Sequence, residues 1–159
     1  MKEVTSTALA KVERHLSTFA EDPVWQRLWL NLESLSWRSL AIIPAGKGTC
    51  IDLVHALAAV AWHQRSTRVI VADLRTLNLP ALTAARNEIR RRVDGGERVL
   101  ICMNSLDQNP TSATIAREAD KVVICTYLGV TVRSEVKRLM VEVGAQRCLG
   151  SIVVNMDGT

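Results

Sequence analysis

The chain has 159 residues, 48% of them apolar and 23% charged. This is a globular composition, long enough for one real core and too apolar for a disordered chain. The net charge of +4 is a mild excess that does not by itself select a nucleic-acid partner. No apolar run approaches the about 18 residues needed to cross a bilayer. The opening MKEVTSTALAKVERHL carries charges where a secretory signal would be apolar, so a cytoplasmic protein is expected.

In chain order, residues 5–19 have helical spacing, with Leu9, Val12, Leu16 and Phe19 on one face. Pro23 interrupts this pattern. Trp25, Leu28, Trp29, Leu32 and Leu35 then form a second apolar stripe. Beyond it, five short apolar runs at 39–43, 68–72, 98–103, 121–126 and 148–154 alternate with helical segments at 49–63, 80–93, 112–119 and 131–143. The runs are nearly continuous in Val, Ile and Leu, which marks strands covered on both faces, as in a parallel sheet. The rhythm predicts an α/β fold: a doubly wound, mainly parallel five-stranded sheet flanked by helices. A helical segment over residues 1–37 would pack on, or link to, one α/β domain over 38–159. The four cysteines, Cys50, Cys102, Cys125 and Cys148, form no C-x-x-C pair and read as buried reduced thiols.

Doubly wound sheets bind ligands beyond the C-terminal ends of their strands. The stretch PAGKGTC, Pro44 to Cys50, stands at such an end, between a strand and a helix. A phosphate-binding loop needs glycines that let backbone N–H groups face the phosphates, a lysine, and a hydroxyl for Mg²⁺. Two registers are open. In one, Lys47 serves the phosphates, with Gly46 before it and Gly48-Thr49 after it. In the other, Gly46-Lys47-Gly48 supplies G-x-G, Thr49 stands for the lysine and Cys50 for the hydroxyl.

Four further stretches carry a resemblance: WQRLWLNL (25–32), VIVADLR (69–75), VLICMNS (99–105), and the closing segment from EADKVVIC to GSIVVN (118–155). Together they resemble the cytoplasmic domains of bacterial tyrosine kinases, members of the deviant-Walker P-loop ATPases alongside MinD and ParA. The resemblance covers roughly residues 25–155 and implies a P-loop NTPase-like fold. It equates Thr49 with the phosphate lysine and Cys50 with the Mg²⁺-binding hydroxyl. Val71 stands for the first aspartate of the D-x-D motif, Asp73 for the second, and Cys102 for the Walker B aspartate. Asn155 matches an asparagine that lies near the adenine in relatives, and Arg75 follows Asp73 as in the family strand. Loss of the lysine, the hydroxyl and two aspartates together removes the metal cage.

The resemblance therefore implies a catalytically inactive or weak domain. It would act as a scaffold or regulatory subunit in bacterial exopolysaccharide or capsule biosynthesis and secretion. The expected partners are a polysaccharide co-polymerase, a synthase or glycosyltransferase, or a paralogous ATPase, with homo-oligomers also open. Recruitment to the inner membrane would go through the partner. No cofactor is expected. The vestigial nucleotide site would comprise Gly46, Lys47, Gly48, Thr49, Cys50, Asp73, Arg75 and Asn155. The alternative is an active ATPase or kinase that binds ATP or ADP with Mg²⁺ and uses Lys47 in a shortened loop.

Two other features invite a surface role. Trp25 and Trp29 read first as core packing of the N-terminal helices; the alternative is an interface anchor, because related kinases use this helix to meet a neighbour and tryptophan is enriched in interface hot spots. Arg90 and Arg91 belong to an arginine-rich helix end that reads either as solvated or as a partner surface. Few aromatics accompany the arginines, which argues against nucleic acid. His55 and His63 lack the intervening Glu of a zinc helix. Ser105, Ser112 and Ser134 have no His-Asp pattern around them.

Overall fold

The computed structural model describes residues 18, 20–64 and 68–155. The expected helix over 5–19 lies almost wholly outside the described residues. Five helices and five strands follow in order: α1 (Pro23–Glu33), β1 (Ser39–Pro44), α2 (Ile51–Gln64), β2 (Val69–Asp73), α3 (Leu82–Asp94), β3 (Arg98–Cys102), α4 (Thr111–Glu118), β4 (Lys121–Tyr127), α5 (Arg133–Val143) and β5 (Cys148–Val154). Short 3₁₀ turns at Leu79–Ala81 and Ala145–Arg147 introduce α3 and β5.

All strand pairs are parallel, in the order β2-β3-β1-β4-β5. β1 is central, with Ile42 level with Cys102 on one side and Val123 on the other. Every residue of β1 is buried, which explains its unbroken apolar run. Alternation divides the core. Leu40 and Ile42 join Trp29, Leu32, Trp37 and the buried side of α2; Ala41 and Ile43 join residues of α4 and α5 on the opposite face. α2 has eight buried residues from Leu53 to Ala61. It is apolar nearly all round because it is sandwiched between the sheet and α1. Among the described residues α2 is the one crossover helix on that face, since β1 connects to β2 in one direction and every later connection runs back the other way. This reversal makes the end of β1 the switch point of the sheet.

α1 begins with Asp22 accepting the Val24 N–H at 2.9 Å and with Pro23 in the first turn. Its Trp29 is fully buried. Of the two readings of Trp29, core and interface, the side chain follows the first: the indole lies in the core against Trp37, edge to face at 6.2 Å between centroids. Trp25 is half-buried against the same cluster. α1 thus packs on the sheet domain. Among the described residues, no helix is long and apolar enough to cross a membrane.

Candidate functional site at the end of strand β1

The chain leaves β1 at Pro44 and enters α2 at Ile51. Gly46 and Gly48 take φ values of 78° and 134°, a backbone region that residues with a Cβ rarely adopt. Space demands glycine as well. A Cβ on Gly46 would lie 2.5 Å from the Glu135 carboxylate, and one on Gly48 would collide with the Tyr127 ring. Two side chains, one at the end of β4 and one on α5, therefore press onto the loop.

Each is held in place. Glu135 sits in the first turn of α5 and accepts the Val132 N–H at 3.0 Å. The Tyr127 hydroxyl donates to the Thr49 carbonyl. Thr131 accepts the Tyr127 N–H at 2.8 Å and its hydroxyl reaches the Ala45 carbonyl at 3.4 Å. Burial pushes the Tyr127 phenol well above its usual range. The space among Pro44, Gly46, Ser105, Asp107 and Glu135 is only about 30 Å³, room for on the order of one or two waters.

Beneath the loop lie two thiols. Cys50 follows Thr49 and starts the first turn of α2, whose Val54 N–H bonds to the Cys50 carbonyl at 3.0 Å. Its sulfur is 3.7 Å from that of Cys102, the last residue of β3, and 3.2 Å from the Ile42 carbonyl. Both residues are almost completely buried. The hydrogen bond with Cys102 lowers the Cys50 thiol below its ordinary value, against burial. The same contact, with burial, raises Cys102. Burial also pushes Cys125, on β4, up to about 11.

Beyond β2, Arg75 grips Asp73 with two bonds, Nε to Oδ1 at 2.8 Å and Nη2 to Oδ2 at 2.9 Å. This holds the Asp73 carboxyl below its usual range. Arg75 also reaches the Thr49 hydroxyl at 3.4 Å. The backbone of Arg75 is fixed by Asn104, whose side-chain amide donates to its carbonyl at 2.9 Å. Lys47 is exposed on the loop.

Of the site residues expected from the sequence, Gly46 to Cys50, Asp73 and Arg75 come together. Asn155 follows β5, one strand beyond β4. Arg91 pairs with Glu88 at 2.7 Å on the exposed side of α3. Arg90 instead lines a groove of about 600 Å³ at the opposite end of the sheet, with Arg38, Arg86, Arg117, Glu118 and Asp120. Sequence reading assigned no role to Tyr127 or Glu135. The one available signal was their place just after a strand and in the first turn of the following helix. Among the described residues, no cluster of three or more His, Cys, Asp or Glu side chains fits a metal ion. No protein-family model matches the chain, and no curated protein or solved structure matches it either.

Proposed function

We propose that the chain is a P-loop NTPase-like scaffold whose loop has lost nucleotide chemistry. The observation that carries this reading is the seating of Tyr127 and Glu135 on Gly48 and Gly46. In a working loop those glycines leave room for phosphate oxygens. Here a carboxylate lies against the first of them, and like charge repels a phosphate. The correspondence with the deviant-Walker pattern draws support from Cys50 and Cys102. They are 52 positions apart, and the resemblance equates them with two groups that share one Mg²⁺; their sulfurs are 3.7 Å apart. Sulfur is a poor ligand for that hard cation.

The setting we propose, from the resemblance alone, is bacterial exopolysaccharide or capsule secretion. The chain would bind a polysaccharide co-polymerase, a synthase or a paralogous ATPase in the cytoplasm. Thermal unfolding with and without ATP, ADP and Mg²⁺ tests the loop. A ligand at a hundred times its Kd adds about 2.7 kcal/mol of stability. No Mg²⁺-dependent shift is expected. A shift removed by Lys47→Ala would instead establish the second reading, an ATPase or kinase working through Lys47. That reading is favoured by the exposure of Lys47 and by the Asp73–Arg75 pair beside Thr49. Titration against the cytoplasmic segment of a co-polymerase tests the setting, and absence of binding removes it.

A further inference from the structure

We propose that Cys50 and Cys102 form a redox modification site, in which a hydroperoxide oxidises the pair to an intrachain disulfide tying the loop after β1 to the end of β3. The inference stands on the thiol geometry and holds whether or not the loop binds nucleotide. The sulfurs start 3.7 Å apart, and a disulfide bond is about 2.05 Å long. Each sulfur therefore travels less than about an ångström. Cys102 is fixed in the sheet, level with Ile42 and Asp73. Cys50 is on the more adjustable side, directly after the exposed residues Lys47, Gly48 and Thr49. Cys50 itself is 1% exposed, so a small peroxide reaches it when that loop lifts.

Cys50 is the sulfur that reacts first. It stands at the N-terminus of α2, where the helix dipole favours a thiolate, and Arg75 lies close by through Thr49. The Cys50 thiolate attacks one oxygen of hydrogen peroxide. The O–O bond breaks, hydroxide leaves and takes up the thiol's proton as water, and Cys50 becomes a sulfenic acid. The Cys102 sulfur then attacks the Cys50 sulfur. The S–O bond breaks, and the departing hydroxide takes the Cys102 proton as a second water. Two thiols and one peroxide give one disulfide and two waters, with two electrons passed to the peroxide. Cys125 and Cys148 are placed differently. Cys125 is within β4, level with Pro44, in the same core cluster as Cys50, whose 3.7 Å sulfur contact is with Cys102. Cys148 opens β5, packs on the other face of the sheet, and has its sulfur near the Gly144 carbonyl.

The test uses the full reduced chain, a small molar excess of hydrogen peroxide, alkylation of remaining thiols in denaturant, and mass spectrometry with peptide mapping. The expected product has lost the mass of two hydrogens, keeps two of its four thiols alkylatable, and links the peptides containing Cys50 and Cys102. The yield falls several-fold when oxidation is run in urea, because the thiols are then separated by a long flexible chain. Cys50→Ala and Cys102→Ala each abolish the link, whereas Cys148→Ser keeps it. Should either alanine variant fail to fold, the wild-type peptide map decides. Four alkylatable thiols after treatment, a link to Cys125 or Cys148, or a sulfenic acid on Cys50 that never closes would each overturn the proposal.

Discussion

The two ends of β1 are both crowded with polar side chains, and they use them differently. At its start, every group closes on another. Trp37 donates to the Leu32 carbonyl at 2.7 Å, and the Arg98 guanidinium lies 4.5 Å above the Trp37 ring. One Asp120 oxygen accepts the Arg38 and Ser39 N–H groups at 2.7 and 3.1 Å, while the Asp120 N–H donates to the Ser39 hydroxyl at 2.9 Å. This is a clasp that fixes where two neighbouring strands begin. At its finish, the chain takes two left-handed glycines, an exposed lysine and a loop held down from outside by Tyr127 and Glu135. The first end stabilises the fold. The second is held by groups that can be removed one at a time without dismantling the sheet.

The hardest break in that contrast is Trp29→Ala, beside the clasp. Emptying so large a buried site costs about 3–5 kcal/mol, and urea unfolding would read it as a fall in midpoint. A loss under about 1 kcal/mol would mean that α1 is dispensable to the core. Next comes an alkaline titration, which sharpens the difference because the raised Cys125 and Tyr127 belong to the finish. A thiol with a folded value near 11 and an ordinary value of 9.0 stays protonated in the native chain while the unfolded chain ionises. Its contribution is complete below about pH 9 and is lost as pH rises towards 11. The loss for Cys125 is on the order of 2–3 kcal/mol. Stability should therefore fall steadily over that window, and Cys125→Ala should flatten the slope.

Asp120→Ala removes charge-assisted bonds to two backbone amides at the start and should cost about 2 kcal/mol. Chemical denaturation measures it, with Asp120→Asn recovering part of the loss. Smallest are the changes at the finish. Tyr127→Phe deletes one hydrogen bond, about 1 kcal/mol, and Lys47→Ala should stay within about 0.5 kcal/mol. Were Tyr127→Phe to cost more than Asp120→Ala, the assignment of structural work to the start and of a separable loop to the finish would be reversed.

Much of the layered fold is legible in the residues themselves. The runs at 39–43 and 148–154 are the strands β1 and β5, although only β1 is buried along its length and β5 carries an exposed Gly150-Ser151 in its middle, and the glycine-bearing PAGKGTC does turn the chain from β1 into α2. Strand order is another matter. It depends on which face each helix crosses, and no local pattern in 50–64 records that α2 alone crosses on the face of α1. Trp29 shows a second limit. Its spacing puts it on an apolar stripe, but spacing does not say whether core or solvent meets that stripe. At the loop, Gly46 and Gly48 announce positive φ, yet the side chains that occupy the space they leave, Glu135 and Tyr127, come from beyond two further strands. Glu135 reads locally as a helix-start residue, and only the fold turns it towards Gly46.

Tyr127 is the sole tyrosine of the chain, and its hydroxyl is bonded to the backbone of the loop. The protein thus carries its own optical label at the finish of β1. Phenolate absorbance reports, without any introduced dye, when that hydroxyl lets go. Appearance of the phenolate band at an ordinary tyrosine pH would signal that the loop has lifted while the tryptophans of α1 and Trp37 still fluoresce as native.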